Sequence, residues 1–124
     1  MSRQRTDEHL AKAAQFLAAA EFSLDAGMAD AAASNSVHAG IQACDAIRAA
    51  RDSTYTRGKN HTDAIPILRQ AGAEGRTAAT LLGRLLAIKS KAEYDTTAIT
   101  MDAARRTVDN ARRLLSLAKG VRAG

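Results

Sequence analysis

The sequence predicts an all-α protein, an up-and-down bundle of four long helices and one short helix, forming a single domain over residues 1–124. Three observations predict it. Apolar residues recur at alternating intervals of three and four over long stretches, the spacing that lines one side of an α-helix. The chain has one Pro, aromatics make up only 3% of it, and it has few of the aromatic and β-branched runs that strands need. Hydrophobic residues reach 46%, but many are Ala, so the core is expected to be thin and its helices close together.

The first helix is expected over residues 7–26. Thr6 is placed to cap it, and Asp7 and Glu8 suit the positive end of the helix dipole. Leu10, Ala13, Leu17, Ala20 and Leu24 make its apolar stripe, and Gly27 ends it. The second helix is expected over residues 29–50, with Ala33, Val37, Gly40 or Ile41, Cys44 and Ile47 facing inward. Gly40 costs about 1 kcal/mol against Ala in mid-helix, which close helix packing would explain. On another face of this helix, Asn35, His38, Gln42 and Asp45 align in a polar row.

A short third helix is expected over residues 63–71, with Asn60 or Thr62 as cap and Pro66 in or just after its first turn. The stretch "AGAEG" reads as a turn, and a fourth helix follows over residues 76–91 with Leu81, Leu82, Leu85, Leu86 and Ile88 as its apolar face. The fifth helix begins after "YDTTAIT", with Thr100 as cap and Asp102 in the first turn. Ala104, Val108, Ala111, Leu115 and Ala118 repeat along it, and Gly120 is expected to stop it.

Charge is unevenly spread. Residues 1–49 hold four Lys/Arg against six Asp/Glu, and residues 50–124 hold fourteen against seven. The basic second part suggests a polyanionic partner. The single Cys44 excludes an internal disulfide and a Cys-based zinc site, and its apolar position reads as core. No apolar run approaches the length that spans a bilayer, and "MSRQRTDEHL" has no leader-like apolar region, so a cytoplasmic protein is the expectation. There is no Gly-rich phosphate loop, no metalloprotease helix motif and no paired-Cys motif, so no metal or cofactor is expected.

The residues with most chemical potential are polar groups around the irregular segments. His38 and Asp45 lie on helix two. Arg57, Lys59 and His61 lie in the stretch "TYTRGKNHTDAIPIL". Lys89, Lys91 and Tyr94 lie at the end of helix four. If helices two and four are neighbours, these groups converge. They would offer cations for phosphate, a His that titrates near neutrality and a Tyr for stacking or hydrogen bonding. Each also has a plain structural reading, as a helix-end charge, a capping group or a filler of the bundle end. The arginines of helix five read as a solvated face, with Arg105–Asp109 and Asp109–Arg113 pairs four residues apart, and as a second reading an RNA-contacting stripe.

The order of these features resembles the HEPN superfamily, the higher eukaryotes and prokaryotes nucleotide-binding domain. The resemblance covers nearly the whole chain. It rests on "FLAAAEFSLDAG", then "ADAAASNSVHAGIQACDAI", then "RGKNH" opening helix three, then "LLAIKSKAEYDTTAITMDAARRTVDNARRLL". It implies a helical bundle that dimerises, and either a metal-independent ribonuclease or a binding partner of a small nucleotidyltransferase in toxin–antitoxin or defence systems. Nuclease members place four to six residues between a catalytic Arg and His. Here Arg57 and His61 have three between them, and Arg3 and His9, with five, sit at the start of helix one. Lys89, Lys91 and Tyr94 match the family's basic-plus-Tyr element without a His. The resemblance therefore implies a non-catalytic module that binds RNA or a nucleotide through His38, Asp45, Arg57, Lys59, His61, Lys89, Lys91 and Tyr94. Two alternatives stand beside it. One is a ribonuclease with His61 as acid or base and Arg57 or Lys89 as phosphate clamp. The other is a structural adaptor, a homodimer through the Ala-rich faces of helices one and two.

Overall fold

The computed structural model describes residues 2–51, 61–94 and 98–124, with side chains throughout except at 2, 61–63 and 92–94. Among the described residues the chain forms five helices and no strand: α1 (Ser2–Asp25), α2 (Ala29–Arg51), α3 (His61–Arg69), α4 (Gly72–Tyr94) and α5 (Met101–Ala123). The protein is an all-α helical bundle.

Helix α2 is the centre, packing against each of the other four. Its expected stripe is buried throughout, from Ala33 and Val37 to Cys44 and Ile47. Gly40 sits where three helices meet. A methyl group there would overlap Leu85 Cδ1 of α4 and lie 3.2 Å from Leu114 Cδ1 of α5. The main core joins Ala13, Val37, Ile47, Leu68, Leu82, Leu85 and Leu114, and a smaller cluster joins Ala20, Ala32, Ala33, Ile99, Ala104 and Val108. Alanine supplies much of both. Small side chains bury little apolar area each, and close approach of the helix backbones makes up for it through dispersion contacts.

The helix ends explain the register. Gly27 has φ +76°, and the Gly27 and Met28 N–H groups donate to the carbonyls of Leu24 and Ser23 at 3.0 and 2.8 Å. That is a Schellman closure of α1, as the sequence suggests. Thr100 caps α5, its hydroxyl accepting from the Ala103 N–H at 3.1 Å. Just before it, the Ile99 N–H donates to Asp30 Oδ1 at 3.0 Å, which ties the approach to α5 onto the first turn of α2.

Four expectations about helix ends are corrected. Helix α1 starts at Ser2, so Thr6 is no cap: it lies inside the helix, 1% exposed, against the bundle. Helix α3 starts at His61, which puts Thr62 within it, while Asn60 lies outside the described residues. The stretch "AGAEG" is no separate turn. Gly72, with φ +81°, opens α4, and Gly75 lies in the helix so close to α3 that a methyl there would overlap the Leu68 carbonyl oxygen. Gly120 does not stop α5, which runs on to Ala123 while the Gly120 carbonyl accepts from the Gly124 N–H at 3.1 Å.

Candidate functional site

The predicted cluster separates into parts with different surroundings. His38 is exposed on α2, its ring 5.2 Å from that of Phe16 on α1 and tilted by 31°. Asn35, next along the row, donates to the Ala31 carbonyl of its own helix at 3.0 Å. Asp45 lies 3.7 Å from Arg48 one turn on. Lys89 and Lys91 are exposed near the end of α4, and no described hydrogen bond or ion pair joins Lys91 to His38 or Asp45. His61 is the first residue of α3 and Tyr94 the last of α4, with side chains outside those described; Arg57 and Lys59 lie outside the described residues altogether.

The polar row of α2 faces α1, and there it meets a residue the sequence reading set aside. His9 is buried in the α1–α2 contact, 4% exposed, with Nδ1 2.7 Å from Gln42 Oε1. Thr6 and Arg48 are buried nearby in sequence on the same two helices. The His9–Gln42 hydrogen bond joins α1 to α2. A usable sequence signal existed: Thr6, His9 and Ala13 continue one stripe of α1, and Arg48 stands four residues beyond Cys44 on the buried stripe of α2. One turn from this contact, burial pushes the Cys44 thiol far above the ordinary cysteine range, so it stays protonated and unreactive.

A second assembly lies between α4 and α5. A groove of about 820 Å³ is walled by Arg84, Ala87, Ile88 and Lys91 on one helix and Ala103, Arg105, Arg106, Thr107, Asp109 and Asn110 on the other. Both sets follow helical spacing, 84, 88, 91 and 103, 106, 110, so the groove follows the seam of the two helices. Four cations face one carboxylate. Arg105 is engaged, with Nη1 2.7 Å from Asp102 Oδ1, in place of the expected Arg105–Asp109 pair. Arg84, Lys91 and Arg106 make no ion pair among the described residues.

Neither a family model nor a curated protein matches this chain.

Chemically, the groove can hold an anion. Three cations with no ion pair among the described residues stand around an apolar floor of Ala87, Ile88 and Ala103, which suits a phosphate-bearing ligand with a less polar body. Among the described side chains no His or Cys lines it, and the one carboxylate, Asp109, lies among arginines. Among the described residues, no group of three or more His, Cys, Asp or Glu side chains could hold a metal ion, and no helix is long and apolar enough to cross a membrane. Of the predicted binding residues whose side chains are described, only Lys91 lines this groove. The sequence reading passed over Arg84 and took Arg106, with the other arginines of helix five, first as a solvated face and only second as an RNA-contacting stripe. Their signal was weak, because a long cationic side chain on an exposed helix face looks the same whether it borders a groove or open solvent.

Proposed function

We propose that the chain is a non-catalytic, HEPN-like module that binds RNA or a nucleotide, with the ligand's phosphates in the α4–α5 groove. The observation that carries this reading is the groove itself, where Arg84, Lys91 and Arg106 stand without ion-pair partners among the described residues against the single acid Asp109. In the same proposal, the bundle is the up-and-down arrangement of four long helices and one short helix. The protein works in the cytoplasm as a homodimer, beside a small nucleotidyltransferase in a toxin–antitoxin or defence setting. The concentration of basic residues after residue 50 supports a polyanionic ligand.

Fluorescence anisotropy with a labelled RNA of about 20 nucleotides, at about 50 and about 200 mM salt, tests it. Binding that weakens steeply between the two conditions is expected. No binding to this RNA or to ATP at the lower salt would end the proposal. Cleavage of the RNA in the presence of EDTA would replace it with the ribonuclease reading, in which His61 and Arg57 act on the scissile phosphate.

A further inference from the structure

The α4–α5 groove does not end at Arg84. A second groove of about 490 Å³ continues between the same two helices, lined by Thr77, Leu81, Arg112, Arg113, Ser116 and Leu117. On α4 the lining positions step through 77, 81, 84, 88 and 91; on α5 they step through 103, 106, 110, 113 and 117. Each series is one helix edge, and the two edges form one continuous seam. Residues 77 to 91 span about 21 Å of helix.

The cations along this seam divide into two kinds. Arg112 is engaged by Glu21 of α1 through Nη2 and Nε at 2.9 and 3.2 Å, and Arg105 by Asp102. Arg84, Lys91, Arg106 and Arg113 make no ion pair among the described residues. Arg106 and Arg113 are seven residues apart on one wall, as are Arg84 and Lys91 on the other. Each pair is thus separated by about 10 Å along its helix.

Building on the nucleic-acid reading above, we propose that this seam binds a single-stranded nucleic acid lengthwise, by its phosphodiester backbone. Three physical arguments select that ligand. The cations are spread over the whole seam, so a mononucleotide would reach only one end of it. The axes of packed helices stand about 8–10 Å apart, so the furrow along their seam is narrow: one strand can lie in it between both rows of cations, while a duplex would rest on its rims. Among the described side chains no aromatic lines either groove, so the phosphates supply the affinity there. Thr77 and Thr107 donate their hydroxyls to the carbonyls of Ala73 and Ala103, which leaves Asn110 and Ser116 as the uncharged polar side chains along the walls that could meet a base. Binding is accordingly led by the backbone, with only weak dependence on sequence.

The test is anisotropy with labelled single strands of RNA and of DNA of mixed sequence, in several lengths, and with a duplex as competitor. Affinity should rise with strand length until the strand spans the seam. The slope of log K against log salt should be about −3, four phosphates at about 0.7 each. Arg84→Gln, Arg106→Gln and Arg113→Gln should each weaken binding several-fold and reduce the slope by about 0.7. The charge-preserving Arg106→Lys should keep the slope, and Arg5→Gln on α1 should change nothing. Equal affinity for RNA and DNA is expected from backbone contact, and a strong preference for RNA would mean that the 2′-hydroxyl is read and overturn the backbone-only claim. A duplex that competes as well as the single strand, or groove variants that bind like the parent, would overturn the strand-in-groove proposal while leaving nucleic-acid binding in place. Failure of every nucleic acid to bind at low salt would remove the broader reading with it.

Discussion

At Gly75 a single missing carbon decides how α3 meets α4. The backbone there has ordinary helical geometry, and Ala is the better helix former, so local preference argues for replacement. The Leu68 carbonyl oxygen argues against it, because an added methyl would overlap it and a backbone atom at a helix end cannot swing aside. Gly75→Ala should therefore destabilise the fold by about 1–3 kcal/mol, the usual cost of overpacking. Gly120→Ala is the contrast. Nothing lies within 4 Å of the added methyl, and the residue is inside α5. That change should stabilise by about 0.4–1 kcal/mol. Urea unfolding midpoints read both, and equal midpoints for Gly75→Ala and the parent would show that the two helices separate freely. Sequence alone could not tell these glycines apart. "AGAEG" looked like a turn and Gly120 like a stop, because glycine is scarce inside helices and the atom that requires it at Gly75 belongs to another helix.

Between elements, the surface of α1 is tied to α5 at two places. Glu21 accepts from Arg112, and Asp7 accepts from Arg122 through Nε at 2.8 Å and Nη2 at 3.3 Å. The Arg122 hydrogen bond, opposed by desolvation and helped by the charges of Arg122 and Arg3, holds the Asp7 carboxyl below its ordinary value of 3.8. The folded chain therefore binds this proton less readily than the unfolded one. The stabilisation is complete above the unfolded value and is lost as pH falls through the folded value. The pair is solvent-exposed, so its effect is small and screened by salt. Thermal unfolding of Asp7→Asn should lie slightly below the parent at neutral pH. The two curves should converge as pH drops below about 4, since protonation does to the parent what the substitution does to the variant. A difference that persists unchanged into acid would assign the effect to packing instead. This link was half legible in the sequence: Asp7 was placed at a helix start for its dipole, but a partner more than a hundred residues away leaves no local trace.

At the scale of the whole molecule, charge and fold are separable. The buried faces of the helices are mainly apolar, Arg48 being the enclosed cation among the described residues, and the excess of cations is displayed on α4 and α5. Four of those cations make no ion pair among the described residues and repel one another across the seam. Combining Arg84→Glu with Arg106→Glu should abolish binding of a single strand while leaving the melting temperature equal to or above that of the parent. A fall of several degrees would show that these arginines serve the fold. The same separation explains which part of the site was readable. The cationic bias after residue 50 and the basic end of helix four, with Lys91, were plain in the sequence. Arg84 and Arg106 acquired meaning only when α4 and α5 came side by side.

What the sequence by itself determined is the helical class, the inward stripes and several of the end signals. Leu10 to Leu24, Ala33 to Ile47 and Ala104 to Ala118 face the bundle as their spacing requires, and Gly27 and Thr100 act as expected. These are local properties, set within one or two turns by side-chain periodicity and backbone preference. Only the tertiary structure decided that Thr6, His9 and Arg48 are enclosed, that His38 meets Phe16 while Gln42 meets His9, and that two exposed helix edges form one seam. The physical reason is that a helix specifies which of its residues share a side, but not which neighbour that side will face. In a core built largely of alanine, that choice falls to a few contacts distant in sequence, such as Gly40 beneath Leu85 and Gly75 beneath Leu68.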